Sequence, residues 1–236
     1  ALCMAVSGKC YLSLHTANSS ANRGACVQNC RKTYMVTDKE DGHQFTIDNE
    51  YIMSPKDLCT IGFLDQVLEV GTSILKIEGR GRSPEYVKTV TQCYREAVDA
   101  YLEGTFNIEK INGWMKKLKT VYNRGFWDGY YLGQKFGEWS EIHGSKATQK
   151  KVYLGKTKKY FKKIQVAEFD LEASQLKEGD NILIMGKTTG VIQTIAKEIR
   201  LHNKQVREVK KGDNFSMKFV HLVRPSDKLY KIVNNE

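Results

Sequence analysis

The chain has 236 residues, 41% of them hydrophobic, with three prolines and 19 glycines; this excludes a linker-dominated or collagen-like sequence and suits one large domain or two ordinary ones. Its formal net charge of +10 is carried unevenly: residues 1–145 hold 17 Lys and Arg against 17 Asp and Glu, whereas residues 146–236 hold 20 against 10. No apolar run approaches the roughly 18 residues that span a bilayer, and no basic-then-apolar leader opens the chain, so the expectation is a cytoplasmic protein without a membrane segment, its thiols kept reduced.

Taken in chain order, the sequence begins at Ala1 on a short apolar run that reads as the end of a strand, and the expectation is that an N-terminal part of the same domain is missing. Four of six cysteines fall in the first thirty residues, as Cys3-x6-Cys10-x15-Cys26-x3-Cys30, and Cys59 follows within "SPKDLC". Next, "RKTYMVTDKEDGHQFTI" predicts a hairpin around Asp41-Gly42. "EYIM" reads as a short strand, and Ser54-Pro55-Lys56-Asp57 as a helix start with Ser54 at the N-cap, followed by an apolar stripe of Leu58, Ile61, Leu64, Val67 and Leu68. "TSILKIEGRGR" predicts a strand. A capped helix then starts at Ser83-Pro84-Glu85, buries Val87, Val90, Tyr94, Ala97, Val98 and Tyr101, and stops at Gly104. A further helix is expected over 108–121, then an ordered aromatic and glycine-rich loop, then a linker. Strand–helix alternation implies parallel pairing, here as the later part of a (β/α) barrel over residues 1–145.

From residue 146 the period changes. Six short alternating segments, "KVYLGKT", "KKIQVAEFDL", "DNILIMGK", "GVIQTIAKEI", "FSMKFV" and "DKLYKIV", with turns at Gly179, Gly190 and Gly212, predict a small antiparallel β-barrel over 146–236. Its first segment, "KKVYLGKTKKYFKK", holds seven lysines interleaved with Tyr153, Tyr160 and Phe161. Lysines neutralise phosphates and aromatic faces stack on unpaired bases, so Lys158, Lys159, Lys162 and Lys163 are candidate RNA contacts. A solvated face with aromatics serving the core is the plainer reading.

In the "SILKIEG" strand, Lys76 and Glu78 share a face near the strand's C-terminal end, where barrels of this class place their chemistry; a structural ion pair is the alternative. Arg80 and Arg82 follow, placed to grip a carboxylate or phosphate, and Arg124 is a further candidate substrate contact. Clustered cysteines in a reduced compartment indicate metal ligation. Zinc sites favour two close pairs, and only Cys26-x3-Cys30 fits; an iron–sulfur cluster tolerates looser spacing. Cys59, in the first turn of its expected helix, would have its thiol pKa lowered by the helix dipole. Cys93, mid-helix, reads as core. Hydrolase motifs are absent, and the five histidines, at 15, 43, 143, 202 and 221, are scattered.

Four ordered motifs, "ALCMAVSGKCYLS", "SANRGACVQNCR", "SPKDL" and "LKIEGR", resemble the collagenase-like peptidase family U32, which also includes tRNA and ribosomal RNA hydroxylation proteins and anaerobic ubiquinone hydroxylases. The resemblance covers about residues 1–130 and implies the later half of a barrel whose cysteines hold a [4Fe–4S] cluster. It implies Cys3, Cys10 and Cys26 as ligands, with the fourth position falling to Cys30 or Cys59; zinc remains the alternative. "CVQNCR" resembles the RNA-modifying branches, and "LKEGDNILIMGKTTGVIQ" resembles the second domain of translation elongation factors. Together these imply oxygen-independent 5-hydroxylation of tRNA wobble uridine with prephenate as hydroxyl source. From their places in the strand and the loop after it, Lys76, Glu78 and Arg80 are our candidates for catalysis, and Arg80 and Arg82 would suit the prephenate carboxylates. A peptidase and a non-catalytic RNA-binding or assembly protein are the alternatives.

Overall fold

The computed structural model describes residues 11–20, 23–32, 34–45, 55–79, 81–133, 140 and 144–235. The chain divides into two compact units, residues 1–78 with 93–147 and residues 79–92 with 148–236.

In the first unit, a short helix α1 (Leu12–Ala17) is followed by a 3-10 turn at Asn29–Arg31. The expected hairpin forms from strands β1 (Val36–Thr37) and β2 (Gln44–Phe45), with Gly42 at φ +75°, a left-handed conformation that glycine adopts without a Cβ penalty. "EYIM" and Ser54 lie outside the described residues. Beyond them the sequence expectation needs correction, because Asp57 and Leu58 form a strand, β3, and no helix starts there. A 3-10 turn at Ile61–Phe63 leads into the shorter helix α2 (Leu64–Glu69). Of the expected stripe only Ile61 and Leu64 are buried, joined by Phe63, while Leu58 is exposed, and the backbone hydrogen bonds of Asp57 and Cys59 go to Gly125 and Trp127 instead of up a helix.

Helix α3 (Pro84–Leu102) forms where the proline and acidic first turn place it. Its buried positions are Val90, Cys93, Ala97 and Ala100, a stripe rotated from the expected one, with Val87 exposed. Cys93, 1% exposed, is a core residue as read from its position. Helix α4 (Ile108–Thr120) is capped by Asn107, whose side chain accepts from the Lys110 N–H, and buries Trp114 and Leu118. Trp114 and Lys117 of α4 both donate to Glu96 of α3, at 2.9 Å each, and the Lys117 ammonium holds the Glu96 carboxyl below its ordinary pKa. The aromatic stretch after α4 is not all loop: Phe126–Trp127 is a strand, β4, parallel to β3 with Asp57 opposite Phe126 and Leu58 opposite Trp127.

That parallel pair agrees with βαβ connectivity, but the described residues do not form a barrel wall. Residues 72–79 alternate as expected, with Leu75 and Ile77 half-buried and Ile74, Lys76 and Glu78 exposed, yet no ladder joins them to another described strand.

The second unit is built on strands β5 (Gln149–Phe161), β6 (Val166–Leu171), β7 (Gln175–Lys177), β8 (Asn181–Gly186), β9 (Gly190–Ile195), β10 (Arg200–Leu201), β11 (Lys204–Gln205), β12 (Glu208–Lys210), β13 (Asn214–Lys218) and β14 (Lys228–Asn234). Eight of them form one sheet in the order β11-β10-β13-β6-β5-β14-β8-β9, and β12 pairs with β7 separately. The expected closed barrel is therefore corrected to an open, curved sheet, since β9 and β11 end it unpaired with each other. The first expected strand also runs on through "KKYF" to Phe161, bending at irregular register between Thr157 and Lys159. The three predicted turns stand, and Gly179, Gly190 and Gly212 all have positive φ.

One face of this sheet holds the core: Leu154, Phe169, Leu171, Leu176, Ile182, Ile184, Phe215, Met217 and Leu229 are almost fully buried, with the Phe169 and Phe215 rings stacked 5.4 Å apart. Each such side chain contributes about 1.5–3 kcal/mol by leaving water. Gly155 sits where β5 meets β6, and a Cβ there would collide with the Asp170 carbonyl oxygen. Gly155→Ala is expected to lower stability by about 1–3 kcal/mol by overpacking, read as a shifted denaturation midpoint by circular dichroism; an unchanged midpoint would show that β6 yields freely.

Candidate functional site

Two sulfur environments emerge from the first unit. Cys26 lies in the loop between α1 and the 3-10 turn at Asn29–Arg31 and is exposed; Cys30, within that turn, is half-buried, and neither is in a disulfide. Ser13 of α1 organises this loop. Its buried hydroxyl accepts the Val27 N–H at 3.1 Å and donates toward Cys26 Sγ at 3.6 Å, while the Gln28 N–H, at left-handed φ +54°, points at the same sulfur at 3.4 Å. Asn29 is buried, its Nδ2 hydrogen-bonded to Thr16 Oγ1 and its carbonyl accepting from Tyr34. Arg31 donates to the Pro55 carbonyl at 2.9 Å. The sequence reading missed Ser13, Thr16 and the helix that carries them; the "LSLHTA" segment is too short to show a helical period.

Cys59 is placed differently from its expectation. It follows β3, its N–H donating to the Trp127 carbonyl, and its thiol sits between Met115 Sδ at 3.8 Å and the Tyr94 hydroxyl at 3.9 Å. Burial pushes its pKa up, where a helix dipole would have lowered it. Burial likewise raises the Tyr94 hydroxyl, which meets Thr60 N–H and Oγ1 at 3.0 and 3.2 Å, and pushes Cys93 up to about 11.

Beside Cys59 lies a buried ion pair. Arg124 is 3.6 Å from Asp57 Oδ1, its backbone N–H donates to Oδ2 at 2.9 Å, and its guanidinium lies 5.2 Å over the Tyr122 ring. Arg124 thus ties β4 to β3 through Asp57. Lys76 and Glu78 are exposed, which corrects their expected inward placement: the strand that would aim them inward is not paired. Arg82 is half-buried with its guanidinium 5.4 Å over Tyr86. Arg80, Cys3 and Cys10 lie outside the described residues. Among the described residues no group of three or more His, Cys, Asp and Glu side chains could hold a metal ion.

In the second unit, the expected RNA contacts gather at one end of the sheet. Lys159 lies 5.0 Å over the Phe161 ring, Lys162 and Lys163 are exposed in the turn after β5, and Lys158 pairs with Glu168 at 3.3 Å. No helix among the described residues is long and apolar enough to cross a membrane.

The sequence pattern of Peptidase family U32 matches residues 1–141. The chain belongs to this family. Its curated U32 relatives carry two kinds of name. It is 55% identical over 236 residues to a protein named collagenase from Porphyromonas gingivalis strain W83, covering all of this chain and 57% of that one. It is 33% identical over 209 residues to tRNA hydroxylation protein P1 of Bacillus subtilis, covering 83% of this chain and 48% of that one. It is 31% identical over 144 residues to a 23S rRNA 5-hydroxycytidine synthase of Escherichia coli, covering 58% of this chain and 22% of that one. The chain thus spans little more than half the length of the collagenase-named relative, and less of the two named for RNA.

Two predictions follow from this U32 geometry. Arg124→Met leaves the Asp57 carboxylate buried without its partner and is expected to cost about 3–5 kcal/mol, measured by urea denaturation with tryptophan fluorescence; a loss under 1 kcal/mol would mean water reaches Asp57. In iodoacetamide labelling followed by peptide mass spectrometry, Cys26 is expected to react well before Cys59 and Cys93, which label on unfolding; equal rates would contradict the burial that raises the two buried thiols.

Proposed function

We propose that this chain is the later catalytic half and RNA-gripping portion of an oxygen-independent hydroxylase acting at position 5 of the tRNA wobble uridine, with prephenate as hydroxyl donor. The observation that carries the reading is the basic end of the second unit, where Lys159 lies over the partly exposed Phe161 ring and Lys162 and Lys163 are exposed in the turn that follows. A lysine-rich strand end with a partly exposed aromatic ring suits a nucleic-acid backbone with unpaired bases. Relatives named for tRNA and ribosomal RNA hydroxylation support the substrate class.

The donor set near α1 fits an iron–sulfur cluster better than an isolated reactive thiol. Cys26 and Cys30 are unbridged on one short loop, and Cys26 Sγ receives an O–H contact from Ser13 and an N–H contact from Gln28. Cys3, Cys10 and Cys26 would hold the group, with Cys30 or Cys59 as fourth ligand. A bound cluster supplies one-electron transfer. Ser13 and Gln28 orient the Cys26 sulfur, Lys162 and Lys163 neutralise phosphates, and Arg80 and Arg82 offer guanidinium groups to the prephenate carboxylates. If Cys59 is the fourth ligand, it must give up its proton and its contact with Met115, which burial opposes.

One observation favours a second reading, that of a peptidase: the 55% identity to a collagenase-named protein. It lacks a recognisable nucleophile motif, since neither G-x-S-x-G nor H-E-x-x-H occurs in the sequence.

Nucleoside mass spectrometry of tRNA from a deletion strain is expected to show loss of 5-hydroxyuridine derivatives; unchanged levels, with gelatin cleavage by the purified protein, would favour the peptidase. In anaerobically purified protein, Cys26→Ala is expected to abolish iron and acid-labile sulfide, and of Cys30→Ala and Cys59→Ala only one should do the same. Full iron in Cys26→Ala would refute the ligand assignment, and a colourless protein with one zinc would replace the cluster.

A further inference from the structure

The outer face of the sheet in the second unit holds a groove of about 410 Å³, lined where it matters by Phe161, Ile164, Glu168, Arg200, His202 and Asn203. It lies on the opposite face from the core. On β6, Ala167, Phe169 and Leu171 point to the core, while Val166 and Glu168 face the groove; on β13, Phe215 and Met217 belong to the core and Asn214 and Ser216 alternate with them. Phe161 is 38% exposed and Ile164 66% exposed. These two apolar side chains sit in water at the edge of a cleft although the core beneath is complete without them.

The groove's lining pairs one cation, Arg200, and one acid, Glu168, with the hydrogen-bonding side chains of His202, Asn203, Asn214 and Ser216. Its one acid, Glu168, is matched by Lys158 at 3.3 Å. Arg200 is exposed on the opposite wall, and Lys162 and Lys163 stand exposed in the turn that carries Ile164. His202 and Asn203 form the two-residue loop between β10 and β11, both with positive φ, 50° and 64°. Asn and His are among the residues that adopt this left-handed conformation most readily, and the turn presents an imidazole and an amide at the groove wall.

We infer that this groove binds single-stranded RNA, holding one unpaired base against the Phe161 face, with Arg200 and the Lys162–Lys163 turn on flanking phosphates. The inference rests on the reading of RNA as substrate and adds to it a defined seat for a nucleotide. An aromatic face and a guanidinium beside hydrogen-bonding side chains recognise an unstacked base, which duplex RNA does not offer. An acidic peptide would be held by the same cations but would gain nothing from Phe161.

The test uses the full chain and a fluorescein-labelled oligouridylate of about ten nucleotides, within the usual range of site sizes, followed by anisotropy over a range of salt concentrations. Phe161→Ala is expected to weaken binding roughly 5- to 150-fold, the fold-change that corresponds to losing one stacked base, while Phe161→Tyr keeps near wild-type affinity. Arg200→Met is expected to flatten the salt dependence by about one phosphate contact, and a duplex of equal length should bind more weakly than the single strand. Phe161 is partly exposed, so thermal melting should show the variants folded. Phe161→Ala binding like wild type would overturn the groove while leaving RNA as the substrate intact. Equal competition by decaglutamate would show a general polyanion surface and overturn the inference. No binding of the oligonucleotide by the wild-type protein would overturn the groove and the basic unit's RNA role together, and nucleoside analysis of the deletion strain would still judge hydroxylation separately.

Discussion

A sheet that packs its core on one face leaves the other face in water, and in this protein that division organises the second unit. The alternation of Ala167, Phe169 and Leu171 against Val166, Glu168 and Asp170 sends one set into a closed apolar core and the other to solvent. Because the core is completed by Phe215, Met217, Leu154 and Leu229 from neighbouring strands, the outer side chains of β6 are left partly in water. The long strand β5 runs on past a register break at Thr157–Lys159 to an exposed end at Phe161. Charge in this half is therefore displayed on a rigid scaffold and not on a tail.

The first unit uses burial to separate its thiols. Cys93 is enclosed in the helix α3 core and Cys59 is half-buried between Tyr94 and Met115, and desolvation raises the pKa of both. Cys26 is left open, with hydrogen-bond donors of Ser13 and Gln28 turned toward its sulfur. The same element thus serves three roles that differ in solvent access and in the groups aimed at each sulfur. The Asp57–Arg124 pair explains why the β3–β4 junction can carry charge: each ion is compensated by the other, and the backbone N–H of Arg124 adds a bond to the carboxylate.

Much of the architecture was legible. The proline and acid at the start of α3, the Asn107 cap and apolar period of α4, the Asp41-Gly42 hairpin and the three glycine turns are local signals, each set by dihedral freedom or by satisfying end groups. Failures came where local pattern and tertiary hydrogen bonding competed. Leu58, Ile61, Leu64 and Leu68 have helical spacing, yet Asp57 and Cys59 bond to Gly125 and Trp127, nearly seventy residues away, and the helix begins only at Leu64. Likewise residues 72–79 alternate as a strand, but alternation says nothing about whether a partner strand exists.

The sequence by itself determined where α3, α4 and the glycine turns fall, that charge gathers in the last ninety or so residues, and that cysteines cluster near the start, because these depend on residues near one another in the chain. Tertiary structure alone decided which thiols are enclosed, that Arg124 pairs with Asp57, that the strands make an open sheet, and that Phe161, Arg200 and His202 share one groove. Those outcomes depend on which distant backbones pair and which surfaces then lose water, and no local pattern records either.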